Sequence, residues 1–250
     1  MIFIVFASSF FTQSDRQNYK AIYKRNIVLE AFKDFFTDIQ YHSNVGLDEE
    51  IIEKTNMMNT GDRYSSNDYI IAKYKNINFS SSDVEIEEKH KDSDGNTHYT
   101  TIFKGQWFIF DFNKKFKANV QIYEKNFYGA TQGGLFSTKI YHRIKMEDVE
   151  FNKIFKVYAE NEFDAFYILT PNTMEKIKEL NRKITGNLLF CFIDNKMHVG
   201  IHNDKDLFEP NIYKKIDLKK EKEKILNEIK IITEFVDILD LDNDLFKRSV

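Results

Sequence analysis

The sequence predicts an α+β domain: an antiparallel sheet, a helix at 171–183 packed on it, and long helices at the N- and C-terminal ends. Three stretches carry that prediction. Thr170 is a good N-cap and Pro171 stands at the first helical position, where its missing N–H costs nothing. Met174, Ile177, Leu180 and Ile184 then form an apolar stripe, and Gly186 supplies the stop. LLFCFI (188–193) reads as a buried strand, Asp194-Asn195-Lys196 as a turn, and MHVGI (197–201) as its antiparallel partner. From 218 to about 241, Ile225, Leu226, Ile229, Ile232, Val236 and Leu239 mark a long closing helix. Asp237, Asp240, Asp242 and Asp244 oppose its dipole and predict fraying there.

Along the chain, residues 1–11 (MIFIVFASSFF) are mostly apolar, too few to cross a bilayer alone, and lack the basic start of a signal peptide. The tail of a transmembrane helix, a partial membrane anchor and a buried core strand all fit them. Arg16, Lys20, Lys24 and Arg25 follow with only Asp15 as an acid, which favours a membrane-derived segment with the remainder on the cytoplasmic side. Ile22, Val28, Leu29, Phe32, Phe35, Phe36 and Ile39 predict a helix over 18–39, and 47–54 could form a short one. The predicted organisation is a hydrophobic segment at 1–14, a helical juxtamembrane region at 15–64 and an α+β domain at 65–250.

Strand signals begin at Tyr69, with a turn predicted at Ser80-Ser81-Ser82-Asp83 and a half-exposed strand through Val84 and Ile86. Asp92-Ser93-Asp94-Gly95-Asn96 is the strongest hairpin turn. After it, 98–116 reads as two strands hinged near Gly105, with Phe108, Phe110 and Phe112 on one face and Trp107, Ile109 and Asp111 on the other. Val120, Ile122 and Tyr123 suggest a further strand, as do 155–159 and 165–169. FNKKFK (112–117) and FNKIFK (151–156) echo one another, but their flanks differ, as expected of coincidence in a chain rich in Lys, Asn and Phe.

Composition narrows the function. The 250 residues are 42% hydrophobic and 15% aromatic, enough for a real core. A net charge of -3 weighs against a general nucleic-acid binder. One cysteine, Cys191, cannot form an intrachain disulfide and fits a reducing compartment.

The candidate chemistry is sparse. His198 and His202 share a strand face, opposite Met197, Val199 and Ile201, and with Asp194 or Asp204 could make a weak metal site; solvent-facing histidines are the plainer expectation. His90 and His98 flank the hairpin turn without a third ligand. Asp92–Asn96 resembles the start of a calcium loop but lacks the downstream bidentate Glu, which favours a plain turn. GATQGG (129–134) lacks phosphate-loop spacing. Cys191 lies inside an apolar run and reads as an inert core thiol. Glu147, Asp148, Glu150 and Glu162 show no pairing by spacing, and the lysines between Lys214 and Lys224 alternate with acids as on a solvated helix face. No catalytic, cofactor or metal residue is assigned.

FKGQWFIFDFNKKF (103–116), the segment 147–180 with LTPNTMEKIKEL as its most specific part, LFEPNIY (207–213) and the closing helix resemble the bacterial family called domain of unknown function 3137. The resemblance spans roughly 65–245. Members are often drawn with membrane-spanning segments ahead of the soluble domain, which implies that 1–11 ends such a segment. The family brings no activity, cofactor or catalytic residue. The expected function is therefore a non-catalytic, membrane-associated module with a cytoplasmic domain acting through an unidentified protein partner. An enzyme or metal-binding domain of unrecognised type, or a soluble cytoplasmic domain with 1–11 in its core, are the alternatives.

Overall fold

The computed structural model describes residues 12–111, 119–128, 141–213, 216–239 and 241. Residues 1–11, the first FNKKFK copy, GATQGG and most of the acidic cluster near the chain end lie outside these.

Among the described residues, nine strands form one antiparallel sheet, in the order β1-β2-β3-β4-β9-β8-β5-β7-β6. They are β1 (Thr37–His42), β2 (Arg63–Tyr74), β3 (Ile77–Lys91), β4 (Thr97–Asp111), β5 (Val120–Glu124), β6 (His142–Ile144), β7 (Phe155–Ala159), β8 (Asn187–Ile193) and β9 (Lys196–His202). The helices are α1 (Gln13–Tyr23), α2 (Leu29–Lys33), α3 (Glu49–Glu53), α4 (Val149–Ile154), α5 (Glu162–Ile168), α6 (Pro171–Lys183) and α7 (Leu218–Leu239), with a π-turn at Lys24–Val28 joining α1 to α2. The α+β class and the terminal helices are those predicted.

Strand alternation divides the core between two faces of the sheet. On one, Phe108 and Phe110 of β4, Val120 and Ile122 of β5, Phe190 of β8 and Val199 of β9 pack with apolar residues of α2, α6 and α7. On the other, Phe103, Trp107, Ile109, Tyr123, Leu189 and Cys191 pack with Leu47, Ile52, Met57 and Met58. The 55–58 segment is held there by polar bonds: Gln121 donates to the Thr55 carbonyl (2.8 Å) and Tyr123 to that of Met57 (2.8 Å).

Helix α6 starts as its sequence dictates. The Thr170 hydroxyl accepts the Thr173 N–H, and Met174, Ile177 and Leu180 are buried. Thr170→Ala is expected to lower stability by about 1 kcal/mol, read as a shift in the urea midpoint with unchanged slope. The β8–β9 hairpin also forms as read, turning at Asp194-Asn195 with Asp194 at φ 52°.

Four sequence expectations are corrected. The N-terminal helix starts earlier, because Thr12 and Asp15 form a capping box, and ends at Lys33; Ile39 lies in β1, where Ile39 and Tyr41 alternate inward. Ser80–Asp83 is no turn but the buried middle of β3; the chain reverses earlier, at Lys75-Asn76, with Lys75 at φ 52°. Residues 97–111 are one strand rather than two. Gly105 marks a close approach, since a Cβ there would fall 2.0 Å from the Ile201 carbonyl oxygen. Residues 165–169 are not a strand but mostly the end of α5, started by Asn161, whose side chain accepts the Asp164 N–H.

Candidate functional site

The face bearing His198 and His202 is filled. Gly200 lies between them and opposite Trp107 of β4, and its lack of a side chain makes room for the indole. A Cβ at Gly200 would come within 2.9 Å of the Trp107 ring. His198 is only 4% exposed, and its Nδ1 accepts the indole N–H of Trp107 at 3.2 Å. Burial, with a smaller contribution from the Lys196 charge, lowers its pKa to about 3, so the ring is neutral. His202 Nδ1 accepts the Lys104 N–H at 3.1 Å, and its ring packs by Phe103 and Phe127. The solvent-facing expectation is thus wrong for His198, because the sheet is covered on both faces.

The other candidates are engaged locally. His90 and His98 are cross-strand partners, but His98 turns to Asp92 (3.0 Å) and His90 to Glu88 (3.6 Å). Asp92 uses its carboxylate on Asp94 N, Asn96 N, Asn96 Nδ2 and His98, which makes the segment a self-bonded turn. Cys191 is fully buried. Asp148, which spacing left unpaired, caps α4 through Phe151 N and bonds Lys178 at 2.7 Å, holding α4 to α6. Lys222 and Lys224 of the lysine run reach Asp34 and the Glu209 carbonyl. Among the described residues, no three His, Cys, Asp or Glu side chains gather so as to hold a metal ion.

The most unusual polar arrangement is one that residue spacing did not reveal. Lys24, at the start of the π-turn and 4% exposed, places Nζ 2.6 Å from Asp68 Oδ2 and 2.5 Å from Glu209 Oε1. Asp68, 2% exposed, sits at φ 57° beside a bulge in β2 and also accepts from Tyr41 and Asn67. The outer oxygen of Glu209 meets Lys20 at 2.6 Å. Next to it Asp83, in the misread Ser-Ser-Ser-Asp segment, accepts Leu207 N (2.7 Å) and Gln106 Nε2 (3.2 Å). Phe208, at φ 58°, donates its N–H to Glu228 (3.0 Å).

Charges here follow burial first and partners second. Burial pushes the Asp68 carboxyl above the usual aspartate value in spite of Lys24, and pushes Asp83 well above it. Burial opposes the charge on Lys24, but Asp68 and Glu209 outweigh it and hold the ammonium above its ordinary value. Burial likewise opposes ionisation of Glu209, yet Lys20 and Lys24 win and its pKa falls. Such a cluster ties remote segments together, and removing Lys24 or Asp68 would leave the other as a buried charge without that partner. Outside it lies an open groove of ≈ 720 Å³ whose lining includes Glu209, Tyr213, Glu221 and Lys224. Neither histidine lines it.

A family profile described as "Protein of unknown function (DUF3137)" matches residues 101–241, more than half of the chain. The chain belongs to the DUF3137 family. The DUF3137 match begins in β4, so α1, α2 and the first three strands lie before it although β1–β3 complete the same sheet. No curated protein matches. Among solved structures, the mycobacterial trehalose monomycolate transport factor A is similar over 88% of this chain and 96% of that one, at 10% identity and a TM-score of 0.45.

Proposed function

We propose that the chain is a non-catalytic module that works by binding another protein, held at the cytoplasmic face of a membrane through residues 1–11. The observation that carries the protein-binding part is the aromatic surface of α5, seen against the filled histidine face. Phe163 is 75% exposed, Tyr167 stacks parallel to it (14° between planes), and Phe166 is exposed on the same short helix. Exposed aromatics grouped in this way are typical of protein interfaces. The membrane part is supported by the apolar run at 1–11 and its basic flank. Half of that flank is committed elsewhere, since Lys24 and Lys20 are tied to Asp68 and Glu209, which leaves Arg16 and Arg25 outward. No helix among the described residues is long and apolar enough to cross a membrane.

Two measurements test the two parts separately. In flotation with phosphatidylglycerol/phosphatidylethanolamine vesicles, the full chain is expected to rise with the lipid and a chain lacking 1–11 to stay below. If both stay below, the membrane part is wrong and a soluble domain is favoured. In affinity capture from the native cell, the Phe163→Ser/Phe166→Ser double variant is expected to retain roughly tenfold less of the partner captured by the wild type. Equal capture would remove α5 as the contact.

A further inference from the structure

We propose that Lys24, Asp68 and Glu209 form a latch coupling the N-terminal helical arm (residues 12–33) to the strap at 207–213, so that arm and strap open together while the central sheet stays closed. The inference holds whether or not residues 1–11 meet a membrane.

Three features converge on Lys24. The helix carrying it is locally widened into a π-turn that begins at Lys24 itself, and π-turns in helices occur frequently at functional positions. Both carboxylate partners sit at or beside a non-glycine residue with positive φ: Asp68 at 57°, and Phe208 at 58°, next to Glu209. Positive φ is uncommon for aspartate and a genuine outlier for phenylalanine. Outside tight turns such as Lys75 and Asp194 it persists only where the surroundings hold it, and it clusters at active sites, ligand clamps and switch regions. Here the surroundings include the arm itself.

An apolar contact runs parallel to the ionic one. The Phe32 ring stands edge-on to Phe208 (centroids 4.9 Å apart) and to Tyr41 (5.4 Å), and the Tyr41 hydroxyl donates to Asp68. Arm and strap are also both fastened to the first half of α7: Tyr23 donates to Glu221 (2.6 Å), Lys224 donates to the Glu209 carbonyl, and Glu228 accepts Phe208 N. If the arm lifts, Asp68 and Glu209 lose the cation between them and Phe208 loses the ring against which it is held. The strap loses the ring and the cation that hold its strained conformation if the arm leaves, and among the described residues Asp68 and Glu209 are the carboxylates that bond this deeply buried lysine. By contrast, β4, β9, β8 and β5 are joined through continuous ladders and do not depend on this cluster.

The test is hydrogen–deuterium exchange on the full chain, with each variant read in the segment it does not occupy. Lys24→Met keeps the aliphatic stem and removes the charge; it is expected to speed amide exchange roughly 10- to 100-fold both in 13–33 and in 207–213, leaving β8 and β9 unchanged. Glu209→Gln, a mild change on the strap, is expected to speed exchange in 13–33 as well, by a smaller factor. Lys20→Met, at a half-exposed site bonded to the outer oxygen of Glu209, is expected to do little. Should Lys24→Met fail to fold, Glu209→Gln decides alone. The latch is overturned if each variant loosens only its own segment, or if β8 and β9 loosen to the same extent as the arm.

Discussion

Trp107→Ala is expected to lower the unfolding free energy by about 3–5 kcal/mol, among the largest losses available from one side chain in this domain. Trp107 is fully buried, stands edge-on to Phe103 (5.7 Å between centroids) and lies across Gly200. Truncation removes that packing and also leaves His198 Nδ1, in a dry site, without the donor it now has. Trp107→Phe keeps most of the ring and loses the hydrogen bond, so a smaller loss of about 1–3 kcal/mol is expected. Gly200→Ala tests the same contact from the other side. Its new methyl would press on the indole and cost about 1–3 kcal/mol in the wild type, but less in the Trp107→Ala background, where the indole is gone although the Phe103 ring (3.2 Å) is still close. Urea unfolding of the four proteins closes the cycle; additive costs would show that Trp107 and Gly200 do not fit one another as described.

The second large effect depends on pH. His198 has a pKa of about 3 in the fold, against about 6.5 in an unfolded chain. Between those values the unfolded chain binds a proton that the folded one excludes, so stability falls as pH falls from about 6.5 towards 3, by up to about 1.4 kcal/mol per pH unit. From pH 7 to pH 4 this comes to about 3 kcal/mol. Asp68, Asp83 and Glu228 act in the opposite direction, because their raised folded pKa values let the folded protein take up protons first. Those contributions are shared by a His198→Gln variant, which can still accept the indole N–H but cannot titrate. The variant is therefore expected to lose about 3 kcal/mol less than the wild type over that interval. Parallel stability curves would mean that His198 is not held neutral.

These residues show where reading the sequence succeeded and where it misled. The alternation in 197–201 placed Met197, Val199 and Ile201 on one inner face, and the structure agrees. His198 and His202 on the other side looked like a solvent face because histidine is polar and glycine is between them. Yet LLFCFI next door has apolar residues on both faces, as does FIF in β4, and a strand pairing with two such neighbours is covered on both sides as well. The signal was present in the neighbours, not in the strand itself. Ser81, Ser82 and Asp83 misled for a related reason: residues that favour turns in isolation were buried here because Leu47 N, Leu207 N and Gln106 bond to the Ser82 and Asp83 side chains.

Local chemistry, by itself, determined the Thr170-Pro171 helix start, the Asp-Gly and Asp-Asn hairpin turns and the long amphipathic α7. Each of these rests on neighbours within a few residues of one another, where capping, turn conformation and side-chain period act directly. Only the tertiary structure decided that Lys24 is a buried counter-ion rather than part of a basic flank, that Asp68 and Phe208 hold positive φ, and that the His198 face is filled. Those outcomes depend on residues 44, 185 and 91 positions apart. Burial and pairing over such separations are set by how the sheet orders its strands, and no local pattern in this chain encodes that order.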